Sequence, residues 1–259
     1  MRPIKSSSLW QMPVALALAV AFIVLQASLE SSSARRSEVA DSGRAPTVGS
    51  HLRGPARVID GDTIDVGGTR VRLEGIDAPE AGQMCARRVL GSWACGDAAT
   101  NFLRRLVEGR QVACQEAGRD RFGRVLAVCT VGETEINAAL VREGLAWAFV
   151  RYSTRYVEIE NEARIARRGI FATENTPAWD YRAGSWARAE RDQPVPEGCV
   201  IKGNAGRNGL VYHMPWSPWY GRVSMKGAGS GNTPSSSGKH WFCSEAEAIA
   251  AGYRAAMVN

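Results

Sequence analysis

The chain has 259 residues, 45% hydrophobic and 22% charged, ordinary globular values that exclude wholesale disorder and collagen-like repeats. Its 32 basic and 26 acidic side chains give a formal charge of +6, which invites a polyanionic partner without saying where it would bind. Only four of the basic residues are lysine, and the three histidines are His51, His213 and His240, so chemistry between residues 52 and 212 proceeds without imidazole. The basic surplus is uneven, at +3 over residues 1–54, +1 over 55–172, −2 over 173–197 and +4 over 198–259.

Arg2 and Lys5 precede an uncharged stretch from Ser6 to Leu29 whose apolar heart is Val14 to Leu25. A positive start followed by an apolar run reads as a secretory signal. It reads equally as a retained N-terminal anchor, since about 20 apolar residues span a bilayer. Either reading of residues 1–29 implies export, to a periplasm or to the medium. Residues 30–54 are rich in Ser, Arg and Gly without periodicity and read as a flexible tether.

From residue 55 the pattern changes. Arg57 to Ile59, Thr63 to Val66 and Thr69 to Leu73 are strand-like, and Gly67-Gly68 predicts a hairpin turn. Asp97 to Glu108 carries Ala98, Phe102 and Leu106 at helical spacing and stops at Gly109. Gln111 to Cys114 and Val125 to Val131 predict two further strands, joined by a polar turn from Gly118 to Gly123. Glu135 to Glu143 and Tyr156 to Arg168 predict two more helices, closed by Gly144 and Gly169. This order of elements predicts an α+β fold, a small β-barrel with helices packed on it. Residues 173–197, with Pro177, Pro194 and Pro196 among Trp, Arg and Ala, read as a linker. Residues 198–259 form a small module bracketed by Cys199 and Cys243, ending in an Ala-rich helix with a Ser244/Glu247 capping box.

All six cysteines follow the apolar leader, and an even count in an exported chain favours disulfides. Short separations favour Cys85–Cys95 and Cys114–Cys129, which leaves Cys199–Cys243. An alternative joins His213 and His240 to Cys199 and Cys243 as a zinc set, although the spacing lacks a tight cysteine pair. Trp216, Trp219 and Tyr220 suit either the core of a small module or a surface that stacks bases or a cell-surface polymer.

Three patches carry chemistry. Ile59-Asp60-Gly61-Asp62-Thr63 is an acidic turn entering a strand, and Asp120-Arg121-Phe122-Gly123-Arg124 is a polar turn. Between them, Arg72-Leu73-Glu74-Gly75-Ile76-Asp77-Ala78-Pro79-Glu80 runs from a strand into a turn. Pro79 stiffens that turn by fixing its own φ and restricting Ala78. The turn offers two carboxylates and a backbone carbonyl, hard donors that suit Ca²⁺, with no thiolate or imidazole to favour zinc. Arginines such as Arg72 and Arg124 grip phosphate oxygens bidentately at any working pH. A carboxylate beside a metal, here Glu80, can orient or deprotonate an attacking water. Taken singly, each patch is a common turn or a surface ion pair. Their joint occurrence in this order points to a phosphodiester.

Together the motifs resemble the thermonuclease family, staphylococcal nuclease-like calcium-dependent phosphodiesterases built on an OB-fold barrel. The resemblance covers roughly residues 55–172 and adds Asn-x2-Leu-Val-x2-Gly-Leu-Ala, starting at Asn137, to the three patches. It implies a five-stranded OB-fold β-barrel, with Asp62, Asp77 and the Ala78 backbone carbonyl as Ca²⁺ ligands. Arg72 and Arg124 become phosphate-binding catalytic arginines and Glu80 the general base, while Arg121, Phe122 and Tyr152 are expected at the substrate. Ala78 stands where the family has Thr and Phe122 where it has Tyr, each change removing a hydroxyl. The implied reaction is Ca²⁺-assisted hydrolysis of DNA or RNA to leave 3′-phosphate ends. The alternative is a non-catalytic OB-fold module that binds nucleic acid or protein at the cell envelope. The C-terminal module resembles the sunset-type domain of other exported bacterial proteins, and its basic surplus suggests a cell-envelope component as a partner. A monomer is expected.

Overall fold

The first strand enters a sheet at His51, three residues before the expected end of the tether. The computed structural model describes residues 51–192, 198–206, 209–230 and 238–256, which fall in one compact unit. The apolar leader and residues 30–50 of the expected tether lie outside them. Among the described residues no helix is long and apolar enough to cross a membrane.

Strand β1 (His51–Val58) pairs with β2 (Thr63–Val66), which turns through Gly67-Gly68 into β3 (Thr69–Leu73). Both glycines have positive φ, +57° and +89°, as a two-residue hairpin matched to strand twist requires. Next come β4 (Ile76–Asp77), a small hairpin of β5 (Met84–Ala86) and β6 (Ser92–Ala94), and helix α1 (Cys95–Val107). Strands β7 (Gln111–Arg119) and β8 (Val125–Val131) follow, then β9 (Thr134–Glu135) and helix α2 (Ile136–Arg142). The sheet order is β3-β2-β1-β7-β8-β9, and β3 also pairs in parallel with β8, at Val71↔Val125. That last pairing closes β1, β2, β3, β8 and β7 into the expected five-stranded barrel. Alternate residues of β8 point inward, so Val125, Ala127, Cys129 and Val131 meet Ile64, Val71 and Leu73 in the barrel core. Leu103 and Val107 of α1 and Leu140 of α2 join the same core.

Asn137 is the fully buried polar residue that locks this closure. Its amide donates to the carbonyls of Glu74 (2.9 Å) and Ala127 (3.2 Å), and its oxygen accepts from Cys129 N (3.1 Å). Buried amides are tolerated where such bonds satisfy them. Beyond α2, β10 (Trp147–Ala148) pairs with β4, followed by α3 (Val157–Ile165) and a 3₁₀ turn at Gly169–Ala172.

The stretch read from sequence as a linker carries instead a fifteen-residue helix, α4 (Ala178–Asp192). Its buried residues Ala178, Ser185 and Ala189 are small, so the inward stripe lacks the bulky apolar residues that announce a helix from periodicity. Trp186 of α4 packs against both small cores of the C-terminal module. That module holds β11 (Ile201–Gly206), β12 (Gly209–His213), β13 (Gly229–Ser230), β14 (His240–Phe242), helix α5 (Glu245–Ala250) and β15 (Arg254–Ala255). Their sheet order is β13-β14-β11-β12-β15.

All three expected disulfides are present: Cys85–Cys95, Cys114–Cys129 and Cys199–Cys243. Cys114 and Cys129 are direct partners across β7 and β8. The zinc alternative fails, because Cys199 and Cys243 are joined as a disulfide and offer no thiolate. His213 Nε2 lies 3.0 Å from Asn204 Oδ1, and the His240 ring packs on Phe242. Tyr220 is a core residue whose hydroxyl donates to the Val200 carbonyl at 2.6 Å. Ser244 caps α5 by accepting from Glu247 N (3.1 Å), while Glu247 reaches back to Cys243 N (2.8 Å), one residue before the position of a standard capping box.

Candidate active site

The acidic turn before β2 is shaped by its own side chains. Asp60 Oδ1 accepts from Asp62 N at 3.1 Å, Thr63 O accepts from Ile59 N at 2.9 Å, and Asp62 O accepts from Leu73 N at 2.8 Å. This holds Asp62 beside the end of β3. Gly61 has a packing reason, since a Cβ there would lie 2.9 Å from the Ala78 Cβ. The Asp62 turn and the Asp77–Glu80 turn therefore touch. Gly96, at the start of α1, does the same for Glu80, because a Cβ there would fall 1.8 Å from the Glu80 carbonyl.

Arg72 of β3 joins the two acidic turns. Its Nη1 is 2.6 Å from Asp62 Oδ1 and its Nη2 is 2.7 Å from Asp77 Oδ1. Asp62 Oδ2 also accepts from Ala78 N at 3.0 Å. Burial pushes the Asp62 carboxyl above its ordinary value, with Arg72 pulling the other way. Burial works against the Arg72 charge too, but Asp62 and Asp77 outweigh it and hold the guanidinium protonated. Two of its five N–H groups are spent on these carboxylates, which leaves three for other acceptors.

A second arginine at the centre is one that sequence reading missed. Arg182 of α4 places Nη2 2.7 Å from Asp77 Oδ2, and its Nη1 lies 3.0 Å from Asp77 Oδ1 and 2.7 Å from Glu80 Oε1. Burial pushes the Glu80 carboxyl up to about 8, against the opposing pull of Arg182. A base tuned close to neutrality is effective in proton transfer. Gln83, also missed and almost fully buried, ties this turn to the approach to α4. It accepts from Glu80 N at 3.0 Å and donates to Thr176 O at 2.8 Å. The available signal for α4 was Ala178, Arg182, Ser185 and Ala189 at helical spacing just after Pro177.

The Asp120–Arg124 turn is self-contained. Asp120 Oδ1 accepts from Phe122 N (2.9 Å) and Arg124 N (3.0 Å), and Oδ2 accepts from Arg124 Nε at 2.6 Å. That bond uses Nε and leaves the two Nη groups of Arg124 for other partners. The Arg121 guanidinium stands over the Phe122 ring, 4.6 Å from its centroid. Tyr152 is exposed and packs on Phe149 at 5.1 Å, and Phe149 meets Trp179 of α4 at 5.5 Å.

Asp62, Arg72, Glu80, Arg124 and Tyr152 line one cleft of about 820 Å³, with Arg121 and Phe122 also on its wall. Asp77 lies fully buried beneath it, bonded to two arginines that reach the cleft. Trp179 and Arg182 of α4 and Trp216 and Tyr212 of the C-terminal module line the same space. The donor chemistry suits a hard divalent cation, since the converging acceptor groups are carboxylates. Among the described residues, however, no three His, Cys, Asp or Glu side chains stand open as a metal cage. Arg72 and Arg182 occupy the oxygens that would form one.

The Staphylococcal nuclease homologue family matches residues 70–173. An uncharacterized endonuclease of Escherichia coli is 37% identical over 134 residues, which are 49% of this chain and 81% of that protein. A micrococcal nuclease of Shigella flexneri is 37% identical over 147 residues, 50% of this chain and 79% of its own. The succinoglycan biosynthesis protein ExoI of Rhizobium meliloti is 32% identical over 51% of this chain and 63% of its own. The family match ends before α4, so Arg182 and the C-terminal module lie beyond it.

Proposed function

The chain belongs to the staphylococcal nuclease homologue family, and from that premise we propose that it is an exported, metal-dependent nuclease cleaving DNA or RNA phosphodiester bonds. The observation that carries this reading is the meeting of Asp62, Arg72, Glu80 and Arg124 in one cleft, with Asp77 buried beneath it and bonded to Arg72. Fold alone would not distinguish an enzyme from a binding module, but this set of groups has roles for each step of hydrolysis.

Asp62, Asp77 and the Ala78 carbonyl are the residues that would hold Ca²⁺, which when bound polarises a phosphoryl oxygen and offsets developing negative charge. The free N–H groups of Arg72 and the Nη groups of Arg124 grip the scissile phosphate from two sides. Glu80 shares Oε1 with Arg182, and its other oxygen faces the attacking water and takes its proton. The water oxygen forms the new bond to phosphorus as the bond to the 5′-oxygen breaks, and that oxygen takes a proton from solvent to leave as a 5′-hydroxyl opposite the new 3′-phosphate end. Arg121 over Phe122, and Tyr152 on Phe149, offer flat surfaces to the flanking nucleotide, since every base has a stacking face.

Export is supported by the apolar leader after Arg2 and Lys5 and by the absence of a free cysteine among the described residues. The C-terminal module, sunset-type by its sequence, carries the basic surplus that suits an anionic envelope component.

Digestion of single- and double-stranded DNA and RNA with Ca²⁺, with Mg²⁺ and with EDTA tests the proposal. Cleavage with Ca²⁺, none in EDTA, and ends that a 3′-phosphatase converts to primers are expected. Full activity in EDTA, or no cleavage with any metal, would overturn it.

A further inference from the structure

Arg182 is delivered to the acidic centre by an element that lies outside the family match and is firmly docked. The segment before α4 is pinned to the loop between Glu80 and α1 by Gln83 Nε2 on Thr176 O at 2.8 Å. Ala86 N on Asn175 Oδ1, at 2.7 Å, adds a second tie. Trp179 then packs against Trp147 and Phe149, with ring centroids 6.1 and 5.5 Å away. These contacts are uncharged, so the position of the helix does not depend on the ion pairs that Arg182 makes.

Those ion pairs saturate Asp77. Its two oxygens accept three N–H bonds, one from Arg72 and two from Arg182, and a third Arg182 contact reaches Glu80. The two oxygens of one carboxylate offer about four acceptor sites, so little of Asp77 is left for another cation. The charges point the same way, because Arg72 and Arg182 already balance most of Asp62, Asp77 and Glu80. A divalent ion on Asp77 would stand against the Arg182 guanidinium in a largely buried setting, where like charges repel strongly.

We propose that Arg182 is a resident cation of the site, and that a divalent ion reaches Asp77 by exchange with it. The guanidinium swings from Asp77 into the cleft it already lines, while α4 stays docked through its uncharged contacts. Arg182 thereby sets the metal affinity of the enzyme from outside the family's own domain. This rests on the proposed metal-dependent reading, and the test separates the two.

The experiment is calorimetric titration of Ca²⁺ into the full mature chain and into Arg182→Gln, at constant ionic strength, with thermal melting of both in EDTA. The glutamine variant is expected to bind Ca²⁺ at least ~10-fold more tightly, the scale of removing one competing contact to a charged group. It is also expected to melt lower than wild type without metal and to gain more from Ca²⁺. Arg182→Lys, which keeps the charge but loses the fork, is expected to show a smaller gain in affinity and serves if the glutamine variant does not fold. Equal or weaker Ca²⁺ binding by the folded variant overturns the exchange and leaves the metal reading standing. Absence of divalent-ion binding by both wild type and variants overturns both.

Discussion

Two arginine–carboxylate constructions face the same cleft and are built in opposite ways. The Asp120–Arg124 turn closes within five residues, one carboxylate holding two backbone N–H groups and the guanidinium that follows. The acidic centre draws Asp62 from the turn before β2, Arg72 from β3, Asp77 from β4, Glu80 from the next turn and Arg182 from α4. The first is a local chain property and partly exposed, so it is expected to tolerate loss of a member. The second exists only when barrel closure and the docking of α4 have both occurred, and its groups are too buried to be left unpaired.

This contrast can be broken by mutation. The largest expected effect is that of Arg72→Ala, which leaves the buried Asp62 without its guanidinium and Asp77 held by Arg182 alone. A loss of about 3 kcal/mol is expected, the low end for breaking a buried pair because the guanidinium keeps some contact with solvent. Asp120→Ala should cost about 1 kcal/mol, the scale of an ordinary hydrogen bond. Urea denaturation of both variants decides the matter, and equal losses would remove the distinction.

Turnover sharpens the comparison. Glu80→Gln and Arg124→Ala should each lower kcat by at least ~10²-fold, the scale of losing a general base or one electrostatic donor. Asp120→Ala should act mainly on KM, because Arg124 survives with its turn loosened. If Arg124→Ala digests DNA at nearly the wild-type rate, the local turn is a binding surface and only the acidic centre is catalytic.

The smallest effect lies in the C-terminal module. His213 is almost fully buried, and its Nδ1 finds no partner among the described residues. Burial, helped by the Lys202 charge, lowers its pKa below the ordinary histidine value. The folded state therefore prefers the neutral ring. The stabilisation is complete above the unfolded histidine value and is lost as pH falls through the lowered folded one. Melting temperature should drop modestly on acidification through that range, and His213→Gln should flatten the drop. An unchanged pH profile in the glutamine variant would show that other groups carry the acid response.

Much of the site was legible because its signals are local. Gly67-Gly68 marked its hairpin through the backbone conformation only glycine adopts readily, and Asp-Arg-Phe-Gly-Arg marked a turn through its side-chain acceptor. Two disulfide pairings followed from short separations, 10 residues for Cys85–Cys95 and 15 for Cys114–Cys129, and the third from what remained. Helix α4 was not legible. Its buried stripe is Ala178, Ser185 and Ala189, too small to raise a hydrophobic periodicity, and its prolines lie before and after it where they mimic a linker. Glu80 and Asp77 stand out in the sequence as neighbouring carboxylates, but nothing in the linear order says that one guanidinium from α4 bridges them.

Sequence by itself determined the residue types that gather at the site, the turns that present them, and the favoured cysteine pairings. Each of these depends on neighbours a few residues apart, where backbone restriction and side-chain reach are enough. Only the tertiary structure decided that the acidic groups share their charge with two arginines, and that the second comes from a helix outside the barrel. Burial is the reason: three carboxylates in a closed site must find partners. Which cation serves depends on how distant elements pack.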